Sequence, residues 1–268
     1  MSTFVARRLG LTAASLVTAV ALSASVASAT PYISVNFDSD TSNALPSGTD
    51  YANAPSGTQA IVVDASTTTP TDPFGGSTNK SLMMEDQSNS DNPIIIYKGA
   101  PAGLSSGTFS IQIYAATGTG YTQPLGVIHL GQNSAVNSPD IGAWLNFSDS
   151  GLVVNNSIAL DNALTANTAY DVTLTFDAVA HTYSGTIAPS DGSSPVAALT
   201  ANSGSTTSFP FYSSGFNAIT TATLITGYPG RTNTRVFFDN LQMNAVPEPA
   251  SMGLLGLGCL LAMRRGRR

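Results

Sequence analysis

Tyr170-Asp171-Val172-Thr173-Leu174-Thr175-Phe176-Asp177, then Ala178-Val179-Ala180, then His181-Thr182-Tyr183-Ser184-Gly185-Thr186-Ile187 is the stretch that decides the fold. Tyr170, Val172, Leu174 and Phe176 fall on one side of an extended chain, and Asp171, Thr173 and Thr175 on the other. That period of two belongs to a strand with one buried face. A slip of one residue would bury the polar set, so the register is strongly specified. The short break and the second alternating run predict an antiparallel hairpin.

The same grammar runs in both directions from it. Short runs rich in β-branched and aromatic residues alternate with Gly, Pro, Asn, Asp and Ser, and no segment keeps a helical period over three turns. Strands are expected at 32–37, 59–64, 81–85, 93–98, 107–115, 125–130, 141–147, 151–155, 168–177, 181–188, 196–199, 217–226 and 235–243. With no internal repeat, that many short strands predict an all-β domain over 30–245, built as a two-sheet antiparallel β-sandwich rather than a propeller.

Composition narrows the function classes. The chain has 268 residues, of which 42% are hydrophobic and only 10% charged, against a globular average of about 25% charged. Between Thr30 and Val246 fifteen acids face four bases, a net charge of −11. Clustered Lys and Arg are what neutralise phosphates, so nucleic acid is not an expected partner. The single cysteine, Cys259, lies near the C-terminus. The central region therefore has neither an internal disulfide nor a thiolate zinc site, and its stability must come from packing.

The two ends are addresses. Arg7 and Arg8 precede an apolar stretch from Leu9 to Leu22 and then Ala27-Ser28-Ala29. Basic, apolar and A-x-A parts in that order form a signal peptide over 1–29, recognised at Ala27 and Ala29 and handed to the secretion machinery. An uncleaved anchor is the alternative reading. At the other end, 246–268, Pro247-Glu248-Pro249 precedes an uncharged, mainly apolar run from Ala250 to Met263, and Arg264, Arg265, Arg267 and Arg268 close the chain. The run would halt translocation and the arginines would hold the tail on the cytoplasmic side. As a membrane helix its fourteen residues would reach only about 21 Å across a hydrocarbon core of about 30 Å. Such a short hold suits a temporary stop; a persistent C-terminal anchor is the other reading.

This order of parts resembles the PEP-CTERM sorting signal of Gram-negative bacteria that make extracellular polysaccharide. The resemblance implies an exosortase, a membrane-embedded cysteine transpeptidase-like enzyme, as processing partner. It makes Pro247, Glu248 and Pro249 the recognition positions, 250–263 a transient membrane association, and the four arginines the stop. The implied location is the cell surface or beyond, after a pause in the inner membrane. The prolines keep the motif extended and outside the helix that follows.

The hairpin together with Arg235-Val236-Phe237-Phe238-Asp239-Asn240-Leu241-Gln242-Met243 resembles the concanavalin A-like jelly roll of lectins, laminin G-like modules and family 16 glucanases. The likeness implies that the last strand pairs beside the first, 32–37. Glucanases on that fold use a Glu-x-Asp-x-x-Glu strand to place two carboxylates about 5 Å apart. This chain has two glutamates, Glu85 and Glu248, and neither stands in that pattern. No catalytic residue, metal site or cofactor is expected, and the chain reads as a non-enzymatic surface protein. The alternatives are a carbohydrate-binding module, with extracellular polysaccharide as partner, and a hydrolase working through aspartates.

Four local features bear on chemistry. Gly103-Leu104-Ser105-Ser106-Gly107 spells a nucleophile elbow, but a strand-like run follows where a helix is required, so a loop is expected. Asp38-Ser39-Asp40-Thr41-Ser42-Asn43 lacks the Gly and Glu of a calcium loop and reads as an Asx-rich turn. His129 and His181 have no neighbouring ligands in sequence. Trp144, the sole tryptophan, lies opposite Leu145 and Phe147 by alternation; the burial habits of Trp favour the core, and an exposed ring would instead offer a sugar platform.

Overall fold

The computed structural model describes residues 30–246, apart from 56–57, 69, 87–91, 116–125, 134–137, 149–150, 156, 163, 166, 202–203 and 227–233. In chain order the strands are β1 (Ile33–Val35), β2 (Tyr51–Asn53), β3 (Thr58–Asp64), β4 (Lys80–Asp86), β5 (Ile94–Lys98), β6 (Ser106–Ala115), β7 (Gly126–Gly131) and β8 (Ile141–Ser148). They continue as β9 (Gly151–Val154), β10 (Ile158–Ala159), β11 (Ala169–Asp177), β12 (Thr182–Pro189), β13 (Ala197–Ala198), β14 (Ser208–Pro210), β15 (Thr221–Thr226) and β16 (Thr234–Ala245). Among the described residues the one helical turn is a 3-10 turn at Ser138–Asp140.

They form two antiparallel sheets. One runs β13-β12-β11-β6-β16-β4-β3, with β1 also on β16 and β14 on β12; the other runs β10-β9-β8-β7-β15-β5-β2. The all-β, two-sheet architecture is the one the alternation called for, and each expected strand overlaps an observed one. β2, β10 and β14 were not anticipated: two or three residues long, they are too short to show a period. β1 pairs antiparallel with β16, Ile33 opposite Met243, so the first and last strands lie side by side.

The hairpin is β11–β12, with Phe176 opposite Tyr183 and Asp177 opposite Thr182. Tyr170, Val172, Leu174 and Phe176 are buried, while Asp171 and Thr175 are exposed. His181 does not begin the second strand. It turns the corner with φ +54°, and the Asp177 carboxylate accepts the N–H groups of Val179 and Ala180, an Asx turn.

The core lies between the sheets. Phe109, Ile111, Leu174, Val236 and Phe238 of one meet Ile128, Leu130, Leu145, Phe147 and Leu224 of the other. Phe147 and Phe238 meet edge to face across the gap, 5.8 Å between centroids. Gly126 pairs with Phe147, and a Cβ there would stand 2.2 Å from that ring; the glycine makes the room that Phe147 fills. A smaller cluster of Val63, Met83 and Phe237 lies apart from the main core, packed with Phe74 from the 65–79 loop and with Tyr114.

Candidate functional site

Alternation gives β7, β8 and β15 a second face, turned away from the core. Pairing lines up Tyr51, Ile96, Thr223, His129 and Trp144 across the seven-stranded sheet, with Ile94, Ile225, Val127, Asn146 and Val153 in the next row. His129, Asn146, Thr221 and Thr223 are buried polar residues. Trp144 is half-buried and does not join the inter-sheet core. The expectation from burial habit was therefore wrong: its strand neighbours Leu145 and Ala143 take the inner positions, so strict alternation sends the indole outward.

The indole is held from three sides. His129 lies 4.6 Å from it at 73°, and Tyr212 lies 4.8 Å away at 61°. Its Nε1–H donates to Asn146 Oδ1 at 2.5 Å, two residues along the same strand face. Behind it the buried Tyr183 hydroxyl donates to Asn155 Oδ1 at 2.9 Å and lies 3.2 Å from the Trp144 carbonyl. Asn155 takes φ +50°, donates its backbone N–H to that same carbonyl and its side-chain amide to Pro210 O. Burial pushes the Tyr183 phenol well above its ordinary range, so it stays a neutral donor.

Tyr212 is 42% exposed, and its segment is pinned by backbone bonds from Tyr212 and Ser213 to Gly142 and Ile141. The result is a ledge of two aromatic rings, one half-open and one open, beside amide groups. Such a ledge can stack on an apolar ring face and hydrogen-bond hydroxyls. A second concavity of about 520 Å³ lies at the opposite sheet's edge, lined by Tyr170, Ile187, Pro189, Asp191 and Pro195 among others.

The remaining candidates resolve into local structure. Gly103 has φ +67° and the run passes directly into β6, so the elbow-like letters form a loop. In 38–43, Asp38 accepts the N–H of Lys80, Asp40 accepts both the N–H and the hydroxyl of Ser47, and Ser42 donates to Asp64. Glu85 takes a two-pronged hydrogen bond from Arg235 at 2.8 and 3.1 Å, across β4 and β16. His181 lies beside Phe211, its Nε2 3.1 Å from Phe216 O. Among the described residues no group of three His, Cys, Asp or Glu side chains is placed to hold a metal ion.

Ala27, Ala29, Pro247, Glu248, Pro249, Arg264, Arg265, Arg267 and Arg268, with the run 250–263, lie outside the described residues. Among the described residues no helix is long and apolar enough to cross a membrane. Sequence reasoning set Trp144 opposite Leu145 and Phe147 but did not single out Asn146, although its two-residue spacing puts it on the indole's face. It missed Tyr212 and Asn155, because the first sits in a Ser/Gly/Phe segment without period and the second acts through a turn.

Comparison with known proteins identifies the C-terminal end. Residues 245–268 match the family model for the PEP-CTERM protein-sorting motif. The motif implies an exported substrate, held transiently in the membrane and processed by exosortase. No curated protein matches the chain. Solved structures similar to it include a carbohydrate esterase of Shiga toxin-encoding bacteriophage phi24B, 13% identical over 81% of this chain and 99% of that one, TM-score 0.49. Peanut lectin matches at 11% identity over 81% and 99%, TM-score 0.45. The cellulose induced protein Cip1 matches at 12% over 80% and 97%, TM-score 0.48.

Proposed function

We propose that this chain is a non-enzymatic surface protein of a Gram-negative-type cell envelope or its polysaccharide matrix, delivered by its own sorting signal. The observation that carries this reading is continuity: the sandwich's last strand ends at Ala245, where the sorting motif begins. Removal of the tail would free a complete sandwich with no linker between fold and signal. Cell fractionation tests it: Glu248→Ala is expected to leave the chain in the inner membrane, whereas release at the wild-type level would count against it.

The Trp144–Tyr212 ledge favours a second reading, a carbohydrate-binding module for neutral glycans, since the 30–246 region is acidic and would repel anionic ones. A glycan array with the exported form is its test. Binding should fall at least tenfold in Trp144→Ala, by about the 1.4 kcal/mol that a tenfold change represents. Blank arrays for the wild type remove this reading and leave the first standing.

A further inference from the structure

β16 changes partners along one edge. Through Thr234 to Phe238 it pairs with β4, and from Leu241 to Met243 with β1. Asp239 and Asn240 fill the seam, where the pairing with β6 also slips and Asn240 takes φ +49°. Asp239 is fully buried there. Its Oδ1 accepts the N–H of Asn240 at 2.7 Å and its Oδ2 accepts Nδ2 of Asn79 at 3.0 Å.

The same Asn79 nitrogen donates to Asp72 Oδ2 at 3.1 Å. Asp72 is itself 8% exposed, and its other oxygen is buried without a hydrogen-bond partner. Two buried carboxylates are thus joined by one amide. The charged groups on the surrounding elements do not offset them. Asp38, after β1, adds negative charge; Lys80, at the start of β4, directs its ammonium to Asp40 O at 2.5 Å; on β6, Gln112 is neutral and shared between Asn240 and Asp171.

We propose that Asp239, Asn79 and Asp72 form a proton-dependent latch that fastens β1 and the 65–79 loop to the last strand. A proton on Asp239 removes its repulsion with the neighbouring carboxylate, and its loss loosens the seam. Burial, with the negative charges of Asp72 and Asp38 adding to it, raises the Asp239 carboxyl to about 7, against the opposing hydrogen bonds from Asn79 and Asn240. The native state therefore binds the extra proton between the ordinary carboxylate range and about 7. Stability from this group is full on the acid side and is lost as pH rises through that window.

β1 is the element poised to respond. It is three residues long and is followed by Phe37, a buried side chain with φ +60°, a backbone region costly for a bulky residue.

The test is the unfolding midpoint and the amide exchange of Ile33 to Val35 in the intact chain, from pH 5 to pH 8, in EDTA and in millimolar calcium. The latch predicts a midpoint fall of at least ~5 °C across this range, faster exchange in β1, and a much flatter profile in Asp239→Asn. Asp72→Asn, which removes one of the charges that raise the Asp239 carboxyl, should bring the end of the fall to lower pH and through less of its depth; it serves if Asp239→Asn does not fold. A profile as steep in the folded variants as in the wild type overturns the proposal. So does a midpoint restored at pH 8 by calcium in the wild type alone, because a cation would then be the seam's counter-charge.

Discussion

The two faces of the seven-stranded sheet are built from alternate residues of the same strands, yet they follow different rules. Inside, Ile128, Leu130, Leu145, Phe147 and Leu224 are fully buried and apolar. Outside, His129, Asn146, Thr221 and Thr223 are nearly as buried but polar, and Trp144 among them is only half covered. Apolar burial alone would favour Val or Ile at those outer positions, since buried polar groups need partners to offset desolvation. The inner face is therefore mainly apolar, whereas the outer face mixes buried Ile96, Val127 and Ile225 with polar positions where the sequence gives up some stability for hydrogen-bonding capacity.

Three substitutions sharpen this division. Phe147→Ala removes the ring that spans both sheets and leaves a cavity facing Phe238 and Gly126; it should cost ~3–5 kcal/mol, read from denaturant midpoints. Tyr183→Phe keeps the ring but strips the hydroxyl from Asn155 and the Trp144 carbonyl. About 1–2 kcal/mol is expected, with a shift in Trp144 fluorescence as its support loosens. Tyr212→Ala, on the exposed side of the ledge, should cost less than ~1 kcal/mol while changing the same fluorescence. Equal losses for Phe147→Ala and Tyr212→Ala would break the division between the faces.

Most of the sandwich was legible in the sequence because period-two alternation is local. Tyr170 to Phe176 announced both their strand and its buried face, and Phe147 and Trp144 were correctly set on opposite sides. What alternation does not encode is which side is the core: that depends on the other sheet, and for Trp144 the general burial habit gave the wrong side. The seam at Asp239 was invisible for the same reason. Asn79 lies 160 positions away from it, and only the exchange of β4 for β1 beside β16 brings the two together. The sorting signal stands at the other extreme, being read from contiguous residues, so the sequence alone suffices there.

The central claim, that the tail is a temporary hold and the sandwich the lasting product, is tested most directly by intact-mass analysis of the protein extracted from the cell surface. The mass should correspond to a chain that begins at Thr30 and has lost the arginines from Arg264 to Arg268. A surface-extracted chain still ending at Arg268 would contradict it.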